Sequence, residues 1–331
     1  VNVMENNDSK KMIFLKGMLM GGVELIPGVS AGTIALILGI LPRLLEALKN
    51  FNLEAINSLR DKAYIKFWAH IDANFLLILL LGMLAGIALL INVVSFVLQY
   101  YPILVWSFFF GVILASALWL ALRNINWKRI DVIVGFVLGV GLAYYMTIAS
   151  PIYFDLTMQS AFFAGMFAIC AMILPGLSGS FMLMLIGLYE PIVQALKNME
   201  VSIVLAFAAG ASIGVLGFSH ALSYLFRRFP SQIYALLTGV MLGSLNKIWP
   251  WKEVMSYRVD SKGEQVPLLL KSISPDRFEL LNTGESSYVM LAILFSVIGV
   301  ATVVLMLSLE KVFNSGQKTL QSIATKSKLE Q

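Results

Sequence analysis

The sequence predicts an all-α polytopic membrane protein made of two inverted-topology repeats, each with one re-entrant broken-helix hairpin and three transmembrane helices. Three observations predict it. Apolar residues (AVILMFWYC) make up 59% of the 331 residues and charged residues 13%, against about 45–50% and about 25% in ordinary globular chains. Two apolar stretches are broken near their middles by Pro-Gly-x-Ser, and the chain repeats itself. Length alone, at about 150 residues per domain, suggests roughly two soluble domains. A soluble domain of this size could not hide so much apolar surface, and a mean hydropathy of +0.83 also excludes the disordered, collagenous and disulfide-rich secreted classes.

A short tail, 1–11, precedes the first apolar stretch; Lys16 and Glu24 interrupt that stretch, so it does not read as a cleavable signal. The first repeat, 12–149, comprises a re-entrant segment at 12–41 and spans at 73–98, 103–122 and 132–148. The second repeat, 161–309, comprises a re-entrant segment at 161–188, spans at 201–226, 232–246 and 288–309, and a polar outside loop at 247–287. A tail, 310–331, follows. A span needs about 20 residues at 1.5 Å rise, so 232–246 is short and borrows 247–251 as an interfacial anchor. Proline removes a donor and glycine loosens the backbone, so Pro27 and Pro175 with their glycines mark helix breaks.

Residues 17–50 align with 165–198 without a gap at an offset of 148 and share ten identities in 34, among them Gly17/Gly165, Pro27/Pro175, Gly28/Gly176, Ser30/Ser178 and Gly39/Gly187. At an offset of 128, Gly82, Gly86, Pro102 and Gly111 pair with Gly210, Gly214, Pro230 and Gly239, and at 160, Gly139 pairs with Gly299. Lysine and arginine gather on the cytoplasmic side of membrane proteins. With both broken segments re-entrant and the N-terminus inside, 17 of these residues face the cytoplasm and the short outside loops hold only Lys197, the other six lying in 247–287. Were the broken segments to span, the short segments would divide 9 to 9. Three true spans per half is an odd number, so the halves lie upside down relative to each other. Both termini are expected on the cytoplasmic side.

Re-entrant loops survive in hydrocarbon only when buried in protein or lining a wet cavity, so two of them should meet near mid-membrane. Each second half-helix starts near Ser30 or Ser178, where free N–H groups and the helix dipole suit an anion. Gly28, Ser30, Gly32 and Thr33 form one candidate phosphate cradle and Gly176, Ser178, Gly179 and Ser180 the other, with Arg43 as a cation that could attract a phosphate from the cytoplasmic side. The plainer reading is that these are the turn residues any such hairpin requires. Glu24, whose repeat mate is Met172, is an acid at bilayer depth and so a candidate proton carrier or a cap for the broken helix. His220, mated with Asn92, is a candidate relay or an interhelical hydrogen-bonding group. The glycines 82, 86, 210 and 214 read as close helix packing. Cys170 reads as a small buried thiol, and two histidines with one cysteine leave too few soft ligands for a usual metal site, so neither metal nor cofactor is expected. The net charge of +5 reflects membrane orientation and not nucleic-acid affinity.

The run 24–33, ELIPGVSAGT, with 174–181, LPGLSGSF, resembles the bacterial polyprenyl-phosphate transporter (PopT) family over about residues 16–309, with Ala31 where that family would carry glycine. The resemblance implies transport of undecaprenyl phosphate, or a similar polyprenyl phosphate, from the outer to the cytoplasmic leaflet, recycling the lipid carrier of cell-wall synthesis. Its expected partners are that lipid and the bilayer, with protons as candidate coupling ions. Two rivals belong to other classes. Gly176-Leu177-Ser178-Gly179 with His220 supplies the parts of an intramembrane serine protease dyad, and the same cradles would serve a small-anion transporter.

Overall fold

The computed structural model describes residues 9–26, 30–259, 265–282 and 286–308. Pro27 and Gly28 of the first break, and most of both tails, lie outside the described residues. Helix α1 (Lys10–Glu24) starts at Ser9, whose hydroxyl accepts the Met12 N–H. Helices α2 (Ala31–Ile37) and α3 (Leu41–Lys49) meet at 114°. The chain doubles back between α1 and α2. Glu24 Oε2 accepts the Ala31 N–H at 2.9 Å, and further from the bend Lys16 Nζ donates to the Leu38 carbonyl at 2.9 Å, which requires the two helices to run antiparallel. Short helices α4 (Leu53–Arg60) and α5 (Tyr64–His70) lead to the long α6 (Ala73–Tyr100), α7 (Pro102–Asn124) and α8 (Ile130–Ile148).

The second half opens in the same way. Helix α9 (Met158–Ile173), capped by Thr157, is followed by α10 (Gly179–Leu185) and α11 (Tyr189–Lys197), the last two meeting at 110°. Here too the chain turns back: Leu183 and Leu188 pack with Ala164 and Ala168, and the Ile152 N–H ahead of α9 donates to the Leu185 carbonyl at 2.8 Å. Gly39 and Gly187, repeat mates at the two sharp bends, both adopt φ +69°, a region that L side chains avoid. Then come α12 (Val201–Arg228), α13 (Pro230–Ser244), a 3-10 turn (Leu245–Ile248) and α15 (Val289–Ser308), with α14 (Pro275–Leu281) before the last. Pro102 and Pro230 occupy the first turns of α7 and α13, where a missing N–H costs nothing.

Five helices among the described residues, α6, α7, α8, α12 and α15, are long and apolar enough to cross a bilayer, as an all-α polytopic membrane protein requires. Equivalent close approaches recur in the two halves. Gly82 and Gly86 of α6 lie against Phe14 and Met18 of α1, and Gly210 and Gly214 of α12 lie against Phe162 and Met166 of α9, so a side chain at any of these glycines would strike the partner helix. In the same manner α8 crosses α13 at Gly139 and Gly239, and α7 crosses α15 at Gly111 and Gly299. The hairpins sit between these layers. Every residue of α2 is buried, as expected for a helix apolar on all sides, and the core around it takes in Ile113 and Ala117 of α7 and Leu237 and Met241 of α13.

The loop at 247–287 is not purely irregular. It holds an antiparallel pair, β1 (Lys252–Val259) and β2 (Gln265–Ser272), followed by α14. Trp251 donates to the Ser287 carbonyl and Trp249 to the Ile273 carbonyl, both at 2.8 Å, which ties this small cap to the ends of α7 and α15 through Ile103 and Ala292.

Candidate functional site

The two bends touch. Ser30 and Thr33 open α2, and buried Ser30 caps that helix by accepting the Gly32 N–H at 3.0 Å while donating to the Met172 carbonyl of the other hairpin at 2.9 Å. In return, the Gly176 N–H donates to Thr33 Oγ1 at 2.9 Å. A Cβ on Gly32 would fall 2.8 Å from the Met172 carbonyl oxygen, so only glycine permits this approach. Gly176 has φ +87° and lies against Met241 and Ser244 of α13. Backbone polar groups freed by each break are thus partly satisfied by the opposite break, as hydrocarbon demands.

The bends differ in what fills them. In the first, the half-buried Glu24 carboxylate accepts the Ala31 N–H, so a protein carboxylate sits where an anion would bind at the start of α2. In the second, Met172 stands in place of Glu24, and Ser178 makes no side-chain cap bond to α10. Its hydroxyl is 2.9 Å from that of Ser180, and Gly179 and Ser180 begin the helix. Ser178 and Gly179 are buried and Ser180 half-buried.

The other expected site residues lie elsewhere. Arg43 pairs with Asp72 at 2.8 Å and stacks over the Phe75 ring at 4.3 Å, which ties α3 to the start of α6. His220 is exposed on α12, and its Nδ1 lies 3.0 Å from the Leu216 carbonyl of its own helix. The expected interhelical bond is therefore replaced by one to the preceding turn, which any helix offers a polar side chain four residues on. Among the described residues no hydrogen bond joins His220 to Ser178, so the protease dyad is not assembled.

Three lysines escaped the sequence reading. Lys16, counted there only as a cytoplasmic charge, is buried in α1 and holds the end of α2; its mate in the second repeat is Ala164. Lys247 and Lys252, read as part of a loop, lie beside the second hairpin. The Lys247 ammonium sits 4.1 Å from the centre of the Phe181 ring, in the first turn of α10, and that of Lys252 sits 4.4 Å from the centre of the Trp106 ring of α7 and donates to the Lys247 carbonyl. The sequence signal for Lys16 was present: it and Glu24 are the two charges of the first broken stretch, and neither has a charged mate.

A family model described as undecaprenyl phosphate translocase-like matches residues 20–266, a stretch that includes both bends. The chain belongs to the undecaprenyl phosphate translocase-like family. It is 43% identical over 298 residues, covering 90% of this chain and 95% of the relative, to a protein of Vibrio cholerae serotype O1 (strain ATCC 39315 / El Tor Inaba N16961) named polyprenyl-phosphate transporter. It is 31% identical over 254 residues, 71% of this chain and 85% of the relative, to a protein of the same name from Staphylococcus aureus (strain NCTC 8325 / PS 47). No solved structure matches. These relatives, with the apolar helices of the fold, make this family member a multi-pass membrane protein of a transporter family.

Proposed function

We propose that this family member carries a polyprenyl phosphate, undecaprenyl phosphate in the first place, from the outer to the cytoplasmic leaflet of the bacterial plasma membrane, for reuse in cell-wall synthesis. The observation that carries this reading is the meeting of two amide-rich bends through Ser30 with Met172 and Thr33 with Gly176. Both hairpins double back, and the lysine and arginine distribution supports a cytoplasmic start for α1. In this reading the first hairpin is re-entrant from the cytoplasm and the second from outside, and the recurring glycine contacts of α1–α6 and α9–α12 support a repeat relation between the halves.

The phosphate binds at the second bend, on the N–H groups of Gly179 and Ser180 and the hydroxyls of Ser178 and Ser180, while its polyprenyl tail stays in hydrocarbon. Glu24 holds the matching place at the first bend. Protonation of Glu24 frees the Ala31 N–H at the start of α2 for the phosphate, and rocking of one repeat against the other moves the head group between the two faces. Carboxylate and phosphate therefore compete for one set of donors, which couples transport to a proton.

Head-group translocation of undecaprenyl phosphate in liposomes of purified protein tests this reading, with and without a pH gradient. Ser178→Ala is expected to lower the rate by about tenfold, the effect of losing a hydrogen bond to a charged group, and Ser30→Ala to lower it by loosening the junction of the two bends. Glu24→Gln is expected to transport at a rate that no longer responds to the gradient. Wild-type protein that moves no undecaprenyl phosphate, or serine variants as fast as wild type, would overturn it.

A further inference from the structure

Lys247 and Lys252 follow α13 at the end opposite Arg227 and Arg228. Lys247 lines a cleft whose other walls are the end of α8 at Thr147, Pro151 beyond it, Phe181, Met184 and Leu185 of α10, and Leu270 of β2, and Lys252 stands behind it, its ammonium donating to the Lys247 carbonyl. Asn246 fixes this edge by donating to Thr147 Oγ1 at 2.7 Å. Both ammonium groups rest on aromatic rings, Phe181 and Trp106. Among the described residues, neither lysine has a carboxylate within ion-pair distance.

The charged groups of the surrounding elements are otherwise committed or distant. Glu253 of β1 pairs with Arg277 of α14 at 3.0 Å, and Lys271 of β2 lies across the strand pair from Glu253. Helix α10 carries no charge, the charges of α7 and α8 lie at their far ends at Arg123, Asp131 and the intervening loop, and the titratable group of α13 is Tyr234. Two interacting like charges on partly desolvated lysines are costly unless a ligand brings negative charge to them.

Resting on the transport reading above, we infer that Lys247 and Lys252 form the receiving site for a phosphate monoester dianion on the outer side, and pass it to Gly179 and Ser180 of the second bend. A phosphate with a charge of about −2 matches two ammonium groups. Phe181 and Ser180, adjacent on α10, link the two positions. Burial pushes Lys247 down to about 8, and burial with the neighbouring Lys247 charge pushes Lys252 down to about 7. The lysines are charged below these values, so affinity for the dianion falls as pH rises through 7 to 8.

The test is binding to full-length protein in nanodiscs, with undecaprenyl phosphate and inorganic phosphate as separate probes, for wild type, Lys247→Met, Lys252→Met and the exposed Lys271→Met. Each of the first two substitutions is expected to weaken binding about tenfold or more, Lys271→Met is expected to leave it unchanged, and wild-type affinity is expected to fall between pH 7 and 9. If wild type binds undecaprenyl phosphate and both cleft variants bind it as well, the receiving site is wrong and the transport reading stands. If inorganic phosphate binds in a lysine-dependent way and the lipid does not, the cleft is a phosphate site and the transport reading falls; if neither probe binds, both fall. Should a variant fail to fold, acylation of Lys247 and Lys252 in wild-type protein, followed by mass spectrometry, replaces it. Protection by a probe supports the site, and equal labelling with and without probe overturns it.

Discussion

Thr33 accepts a hydrogen bond from a backbone N–H that has nowhere else to go. The Gly176 amide is buried at a bend whose φ of +87° turns it out of any helix ladder, and Thr33 Oγ1 meets it from the opposite hairpin. Thr33→Val keeps the shape and removes the acceptor, which leaves a buried donor unsatisfied at a cost of about 1–3 kcal/mol. The expected result is a lower unfolding midpoint in detergent for Thr33→Val and a near wild-type midpoint for Thr33→Ser; equal midpoints for all three would show that this bond contributes nothing. Gly32 and Ser30 belong to the same junction. Their types were legible in the sequence, since Pro-Gly-x-Ser announces a break and a cap. Their partners were not, because the carbonyls of Met172 and Leu174 come from a segment more than 140 residues away and carry no sequence signature.

Between elements, the link from α3 to α12 is electrostatic and joins the two halves. Glu46 of α3 accepts the Ser223 hydroxyl at 3.0 Å, and Lys49 and Arg227 lie at 3.2 and 3.7 Å. Burial works against ionisation of Glu46, but the bonds from Ser223 and Lys49 and the charges of Lys49 and Arg227 prevail and hold its carboxyl below the ordinary range. A carboxyl lowered in the folded state contributes stability above its unfolded value of about 4.5, and that contribution is lost as the pH falls below it. Glu46→Gln is therefore expected to lower the unfolding midpoint at pH 7, by a difference that shrinks as the pH falls below 4.5; a difference that does not shrink would assign the effect to packing. In the second repeat the mate of Glu46 is Gln194 and that of Ser223 in the first is Ser95, so the equivalent link lacks its acid.

At this scale the sequence showed the long helices well, because a run of some 20 apolar residues has few other uses. The cap of β1, β2 and α14 was hidden inside a polar loop. That is also why Lys247 read as an interfacial anchor and Lys252 as a loop residue: their places beside α10 and α7 depend on how Trp249 and Trp251 fasten the cap. His220 was misplaced for a different reason. Hydropathy locates a residue along a helix and says little about which face it occupies, and this one faces outward.

Across the whole molecule, the two halves repeat the same contacts with opposite connections: α1 on α6 and α9 on α12 within a half, α8 on α13 and α7 on α15 between halves. On the reading proposed above, such an arrangement gives matching routes to one central junction from both membrane faces, with Glu24, Lys16 and the lysine cleft giving each face its own chemistry. The claim on which this depends is that the hairpins enter from opposite sides. Cys170 is the sole cysteine, so a Cys170→Ser background allows single exposed cysteines to be placed at Asp61, after the first hairpin, and at Asn198, after the second. In intact cells a membrane-impermeant thiol reagent is expected to label Asn198→Cys at once and Asp61→Cys only after permeabilisation. Labelling of both from outside would mean that the broken stretches pass straight through, and would contradict the inverted arrangement and the shared phosphate site built on it.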